Sequence, residues 1–331
     1  MIEPLRHGGA MLALAAMFLP GVTVAADAPP LTLEHKIPLG EVKGRIDHLA
    51  ADAVHNRLFV AELGNDSVGV VDVREQKLVR RIGGLKEPQG VGYVSASDTL
   101  LVANAGDGSV RAFAGPEFTP AWRLDLGEDA DNVRIDAAGE ALVGYGSGAL
   151  AIIDPRARTK LADIPLKGHP ESFQIAESGR IFVNMPEAHA IAVIDRAAGR
   201  QIAAWPLSDV GSNFPMALDR ATHRVIAIAR HPARLLAFAE DGARVAELPT
   251  CGDADDVWVD AKRDRIYVSC GEGAVDVVAR NDKGYQSLGR LPTASGARTS
   301  FFLPQTDRLY LAVRATQSEK AAIWVLRPSS P

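Results

Sequence analysis

Cysteine is scarce in this sequence: Cys251 and Cys270 are the only two in 331 residues. Two cysteines exclude a pair of C-x-x-C zinc ligands, and neither stands in a C-x-x-C-H haem attachment site, so no haem is expected. Positive charge is also in deficit, with 36 Lys and Arg against 41 Asp and Glu and a net charge of −5. A nucleic-acid clamp needs a clustered basic surface to neutralise phosphates, so no nucleic-acid partner is expected. G-x-S-x-G, H-E-x-x-H and P-loop motifs are all missing, which leaves the common hydrolase and NTPase routes without support. Gly144-Tyr145-Gly146-Ser147-Gly148 looks like a phosphate loop but lacks the strand–helix context. It reads as a tight turn, and no nucleotide is expected.

Long apolar runs are missing too. The longest, from about Ala10 to Leu19, is too short to cross a bilayer. Arg6 precedes it, Pro20-Gly21 breaks it, and Val24-Ala25-Ala26 supplies the small residues of a cleavage site. That is the pattern of a secretory signal. Residues 1–26 are therefore expected to be a signal peptide and 27–331 a single exported domain, periplasmic or secreted, with no membrane span after processing. Export places the cysteines in an oxidising compartment. Both fall in one repeat of the chain, where they are expected either to bridge or to stay as two buried thiols.

What the chain does have is a repeat. Leu58-Phe59-Val60, Leu100-Leu101-Val102, Ala141-Leu142-Val143, Ile181-Phe182-Val183, Val225-Ile226-Ala227, Ile266-Tyr267-Val268 and Leu309-Tyr310-Leu311 recur in similar surroundings. Aligning on the strand before each triplet makes His48, Gly90, Asn132, Ser172, Pro215, Asp256 and Ser300 equivalent, with spacings of 42, 42, 40, 43, 41 and 44. The next residue is apolar in every repeat (Leu49, Val91, Val133, Phe173, Met216, Val257, Phe301), and so is the one two further on. Period two on one face indicates strands. Seven repeats of this length, four strands each, predict an all-β fold, a seven-bladed β-propeller. The seventh repeat ends after its third strand at Ile323–Leu326. The segment Leu31–Leu39 resembles a fourth strand and is expected to complete that blade, closing the ring and removing an open sheet edge.

The segments 44–73, 87–113 and 169–195 resemble the YncE-like, YVTN-type seven-bladed propellers, which are exported bacterial proteins. The resemblance runs through the whole mature chain and speaks to fold, because propellers host many activities. Some members of that family are associated with single-stranded DNA. That property is not carried over, since a basic stripe and stacking aromatics are missing here.

Polar residues collect in the loops that lead into each first strand. They include Arg45, Asp47 and His48; Gln89; Asp131, Asn132 and Arg134; His169, Glu171 and Ser172; Asn213; Asp253, Asp255 and Asp256; and Arg298. Loops between second and third strands, on the same face, add Asn65, Asn104, Tyr145, Asn184, His189, Arg230, His231, Glu272 and Arg314. Singly, Asp, Asn and Ser at strand starts satisfy backbone donors in turns. Together they place carboxylates from four blades at one channel mouth. Crowded carboxylates raise one another's pKa unless a cation sits among them. Either a bound cation or Arg45, Arg134 and Arg298 supply that charge. A divalent ion on Asp47, Asn132, Asn213 and Asp256 would have oxygen ligands suited to Ca²⁺ or Mg²⁺, and a histidine ligand would bring in Zn²⁺.

Two functions follow. One is a monomeric binding propeller that takes a small molecule, a metal ion or a protein partner at a mouth formed by Arg45, Asp47, Gln89, Asp131, Arg134, His169, Glu171, Asn213 and Asp255. The other is a metal-dependent, lactonase-like hydrolase or a lyase, with His48 as general base and Arg298 orienting the substrate.

Overall fold

The computed structural model describes residues 1–2, 28–282 and 284–330. Apart from Met1 and Ile2, the segment read as a signal peptide lies outside them. The described residues form seven four-stranded antiparallel sheets arranged as blades. Blade 1 covers residues 49–82, blade 2 88–125, blade 3 130–165, blade 4 173–206, blade 5 211–249 and blade 6 254–292. Blade 7 combines 300–328 with the N-terminal strand Leu31–Pro38. The only helical elements described are two three-residue 3₁₀ turns, and no helix there is long and apolar enough to cross a membrane.

The seven-blade expectation therefore holds, and the reason is visible in the burial. Second strands such as Arg57–Glu62 and Thr99–Asn104 are buried almost throughout. Fourth strands such as Lys77–Ile82 are mostly exposed, which matches their amphipathic sequences. Apolar side chains fill the spaces between neighbouring sheets rather than one central core. Phe59, Val70, Leu100 and Phe113 pack between blades 1 and 2, for example, and Phe182, Trp205 and Phe238 between blades 4 and 5. Face-to-face packing of this kind accounts for the apolar residue that follows every aligned position.

Ring closure follows the expected register. Leu31 pairs with Pro328 and Ile37 with Ile323, and Leu31, Ile37 and Leu39 are fully buried. Lys36 Nζ lies 2.8 Å from Glu319, and the Arg308 guanidinium donates to Glu34. Cys251 and Cys270 form a disulfide with Cα atoms 5.8 Å apart. It ties the loop entering blade 6 to the end of that blade's second strand.

The two faces of the ring use aspartate differently. On the face away from the strand starts, aspartates close turns: Asp52 Oδ1 accepts from the amides of Val54 and His55, Asp72 Oδ1 from Arg74 and Glu75, and Asp154 Oδ1 from Arg156 and Ala157. These carboxylates satisfy local backbone donors. On the opposite face the fourth-to-first and second-to-third loops meet, as where Gly146 N donates to Glu128 O and Lys86 N to Asn104 Oδ1.

Candidate functional site

The loops of that second face surround a funnel of about 590 Å³ at one end of the bore. Arg45, Asp47, His48 and Gln89 line it from blades 1 and 2. Asp131, His169 and Glu171 line it from blades 3 and 4, and Asp255 and Arg298 from blades 6 and 7. Residues spread over most of the chain thus reach one wall because the ring brings strand starts together. Gly90 makes room for this: a Cβ there would lie 1.8 Å from the backbone oxygen of Asp131. Blade 2 therefore contributes no side chain at the position where blade 1 carries His48.

Four of the residues expected at the mouth or on a metal ion sit elsewhere. Asp256 and Arg134 line a second cavity of about 300 Å³ deeper in the bore, which His48 also touches. The Arg134 guanidinium donates to Val133 O and Ser172 Oγ. Asn213 is buried, and its amide donates to Asn184 Oδ1 at 2.9 Å and Ala190 O at 3.2 Å, so it ties loops together. Asn132 is buried, with neither amide atom hydrogen-bonded among the described residues.

The arginines are occupied. Arg45 pairs with Asp47, Nε lying 3.1 Å from Oδ2, and also donates to Gln89. Arg230 lies 2.6 Å from Asp255, donates to Ala254 O at 2.8 Å, and stacks on the Phe214 ring at 3.9 Å. Arg298 bridges Asp253 at 2.8 Å and Asp255 at 2.9 Å. Arginine therefore compensates Asp47, Asp253 and Asp255. Burial still pushes the Asp255 carboxyl up against the pull of Arg298 and Arg230.

His48 forms the floor. Its Nδ1 lies 3.6 Å from Asp256 Oδ1 and its Nε2 3.8 Å from Asp47 Oδ1. Asp256 Oδ2 accepts the amide of Ser300 at 2.8 Å. Burial alone would depress the imidazole, but Asp256, then Asp47 and Asp131, outweigh it and raise the pKa to about 10. At neutral pH His48 is an imidazolium.

The blade 3 and blade 4 wall differs. Asp131 is 5% exposed, and its Oδ1 is buried with no hydrogen-bond donor among the described residues. One ligand atom each from Asp131, His169 and Glu171 lies within 4.8 Å of the others. Burial, then the charge of Glu171, raises Asp131 to about 8. Burial, then Asp255, raises Glu171 to about 7. His169 Nδ1 donates to the Gly146 carbonyl at 2.5 Å, with Asp129 3.7 Å away. The turn 146–148, read as a plain hairpin connection, thus also orients a funnel side chain.

Seven of the funnel's lining residues are carboxylates and three are arginines, so its wall carries an excess of acid. Glu128, Asp129, Glu187, Ser147 and Phe214 line it as well, and none of them is among the funnel residues expected from the sequence. The acidic string Gly127-Glu128-Asp129-Ala130-Asp131 was the available signal for two of them. Nothing comparable marks Phe214, whose role depends on Arg230 arriving from the next loop.

No family model matches this chain, and neither does any curated protein. Solved structures do. A chain of Kuenenia stuttgartiensis hydrazine synthase superposes with a TM-score of 0.72 at 18% identity, over 89% of this chain and 96% of that one. A chain of the mitotic checkpoint complex superposes at 0.77 with 12% identity, over 96% of this chain and 99% of that one. Likeness at these identities shows the propeller fold alone.

Proposed function

We propose that this chain is an exported binding propeller of the YncE-like, YVTN-repeat kind, and that its funnel takes a small cationic ligand. The repeat pattern and the ring support the propeller, and the sequence pattern of residues 1–26 supports export. The observation that carries the second is the pair Asp131 and Glu171, which forms no ion pair with an arginine among the described residues. Each arginine lining the funnel is ion-paired to another acid, and Arg134 and Arg230 act on the pair only at longer range, which leaves it room to take up a cation in place of protons. Binding is favoured over lactonase-like hydrolysis because His48 is bracketed by two carboxylates. An imidazolium has no lone pair with which to take a proton from water.

Calorimetry of the untagged protein with size-matched organic amines and organic anions tests the reading. Amines are expected to bind and to lose affinity in Asp131→Asn. Binding of the anions alone would contradict it and would point to Arg45, Arg230 and Arg298 instead.

A further inference from the structure

Asp131 begins the inner strand of blade 3, Ala130–Ile135. His169 and Glu171 stand in the loop leading to the inner strand of blade 4, Phe173–Ile175. That loop is fixed to its own blade, since Glu171 N donates to Asn184 O and Asn184 N to Ser172 O, each at 3.0 Å. Two carboxylates and an imidazole are thereby held, one atom from each within 4.8 Å of the other two.

The hydrogen bonds decide what this trio offers. Because His169 Nδ1 donates to Gly146 O, the lone pair of the neutral ring resides on Nε2. A backbone carbonyl fixing the tautomer in this way is how metal-ligating histidines are commonly oriented. Asp131 Oδ1 is the second observation: it is buried and has no donor among the described residues, in a side chain that lines the funnel. An unpaired carboxylate oxygen in such a place is costly unless a proton or a cation meets it. Arg45, Arg230 and Arg298 do not fill that role, being engaged by Asp47, Asp253 and Asp255.

We infer that Asp131, His169 and Glu171 bind one divalent first-row transition-metal ion. This rests on reading the funnel as a cation site, and it names the cation. The imidazole argues for a borderline ion such as Zn²⁺ or Co²⁺, because Ca²⁺ and Mg²⁺ favour oxygen ligands throughout. Three protein ligands leave coordination positions open to water or to a donor atom on a funnel ligand. The trio differs from the set read from the sequence. In that set Asn213 is bonded to Asn184 and Ala190, and Asp47 and Asp256 flank the His48 imidazolium.

The test uses untagged full-length protein stripped with a chelator and titrated calorimetrically with Zn²⁺, Mn²⁺, Co²⁺, Mg²⁺ and Ca²⁺ as simple salts. One equivalent of a first-row ion is expected to bind, ahead of Mg²⁺ and Ca²⁺. Asp131→Asn, which keeps the side chain's shape, and Glu171→Gln are each expected to weaken it by at least about tenfold to a hundredfold. Removing the imidazole in His169→Ala is expected to alter the visible absorption of the Co²⁺ form. Melting curves of the metal-free variants establish that they fold. First-row binding that is unchanged in all three variants would overturn the assignment. So would the binding of no metal ion by the folded wild type. If amines still bind in either case and lose affinity in Asp131→Asn, the metal inference falls while the cationic funnel stands. If only anions bind, both fall.

Discussion

Asp256 joins three blades through one carboxylate. Its Oδ2 accepts the backbone amide of Ser300 in blade 7 at 2.8 Å, and its Oδ1 faces His48 Nδ1, at the start of blade 1, at 3.6 Å. The second carboxylate beside that imidazole, Asp47, is held by Arg45. The floor of the funnel is thus a charge-balanced bridge across the point where the ring closes.

Breaking that bridge is expected to be expensive. His48→Ala leaves Asp256 and Asp47 facing each other without the imidazolium, and removal of one partner of a buried ion pair costs about 3–5 kcal/mol. Asp256→Ala is expected to destabilise the metal-free protein as well, because His48 loses a charge partner and the Ser300 amide its acceptor. Denaturant unfolding of the two variants measures this. A metal-free Asp256→Ala protein as stable as wild type would show that the carboxylate is under repulsion rather than in a bridge.

The acidic wall sets a pH dependence of the opposite kind to most surface carboxylates. Asp131 and Glu171 have folded pKa values of about 8 and about 7, above their ordinary 3.8 and 4.5. An acid whose pKa is raised on folding supports the fold only while protonated. Its contribution is complete below the ordinary value and disappears as pH climbs through the raised one. His48, raised from 6.5 to about 10, adds stability that is lost over that higher interval. Asp209, lowered to about 2 by hydrogen bonding to Arg244, acts in reverse and loses its contribution in acid. Metal-free wild-type protein is therefore expected to be most stable at about pH 4 and to weaken steadily toward pH 8. Asp131→Asn is expected to flatten that decline. A stability curve that rises from pH 5 to 8 would contradict the raised pKa values.

The disulfide supports the basic wall. Cys251 precedes Asp253 and Asp255, which hold Arg230 and Arg298, and its amide donates to Asp276 at 2.8 Å. Closing a loop of this size contributes about 3 kcal/mol. Cys251→Ser with Cys270→Ser is expected to lose about that amount in denaturant unfolding. It is also expected to increase amide exchange in residues 252–256. Unchanged exchange there would show that Asp276 and the arginines hold the loop without the bridge.

Much of this architecture was legible from the residues. The blade count rested on the aligned positions from His48 to Ser300, because every blade must pack an apolar residue at the same place against its neighbour. The closing strand was legible because Leu31–Leu39 has the pattern of a fourth strand and the last repeat lacks one. The nearness of the two cysteines was legible from their position within one repeat, but not that they bridge, since that depends on how close the entering loop comes to the strand end. The funnel was legible only as a collection. Asp131 and Asp255 occupy equivalent positions and look alike in sequence, yet Asp255 forms ion pairs with two arginines and Asp131, among the described residues, with none. Which carboxylate meets which arginine depends on loops of neighbouring blades, and no periodicity encodes that. Asn213 misled for the same reason. Its partner Asn184 belongs to the preceding blade, so a structural amide looked like a ligand.

A cation on the wall made by Asp131, His169 and Glu171 can be seen directly. The most direct measurement is anomalous diffraction from crystals of the protein grown with Zn²⁺ or Co²⁺, collected on both sides of that metal's absorption edge. One strong anomalous peak is expected among Asp131, His169 and Glu171, present above the edge, diminished below it, and lost in Asp131→Asn. A peak bound by Asp47 or Asp256 instead, or a well-ordered funnel with no peak among the three residues, would contradict the assignment.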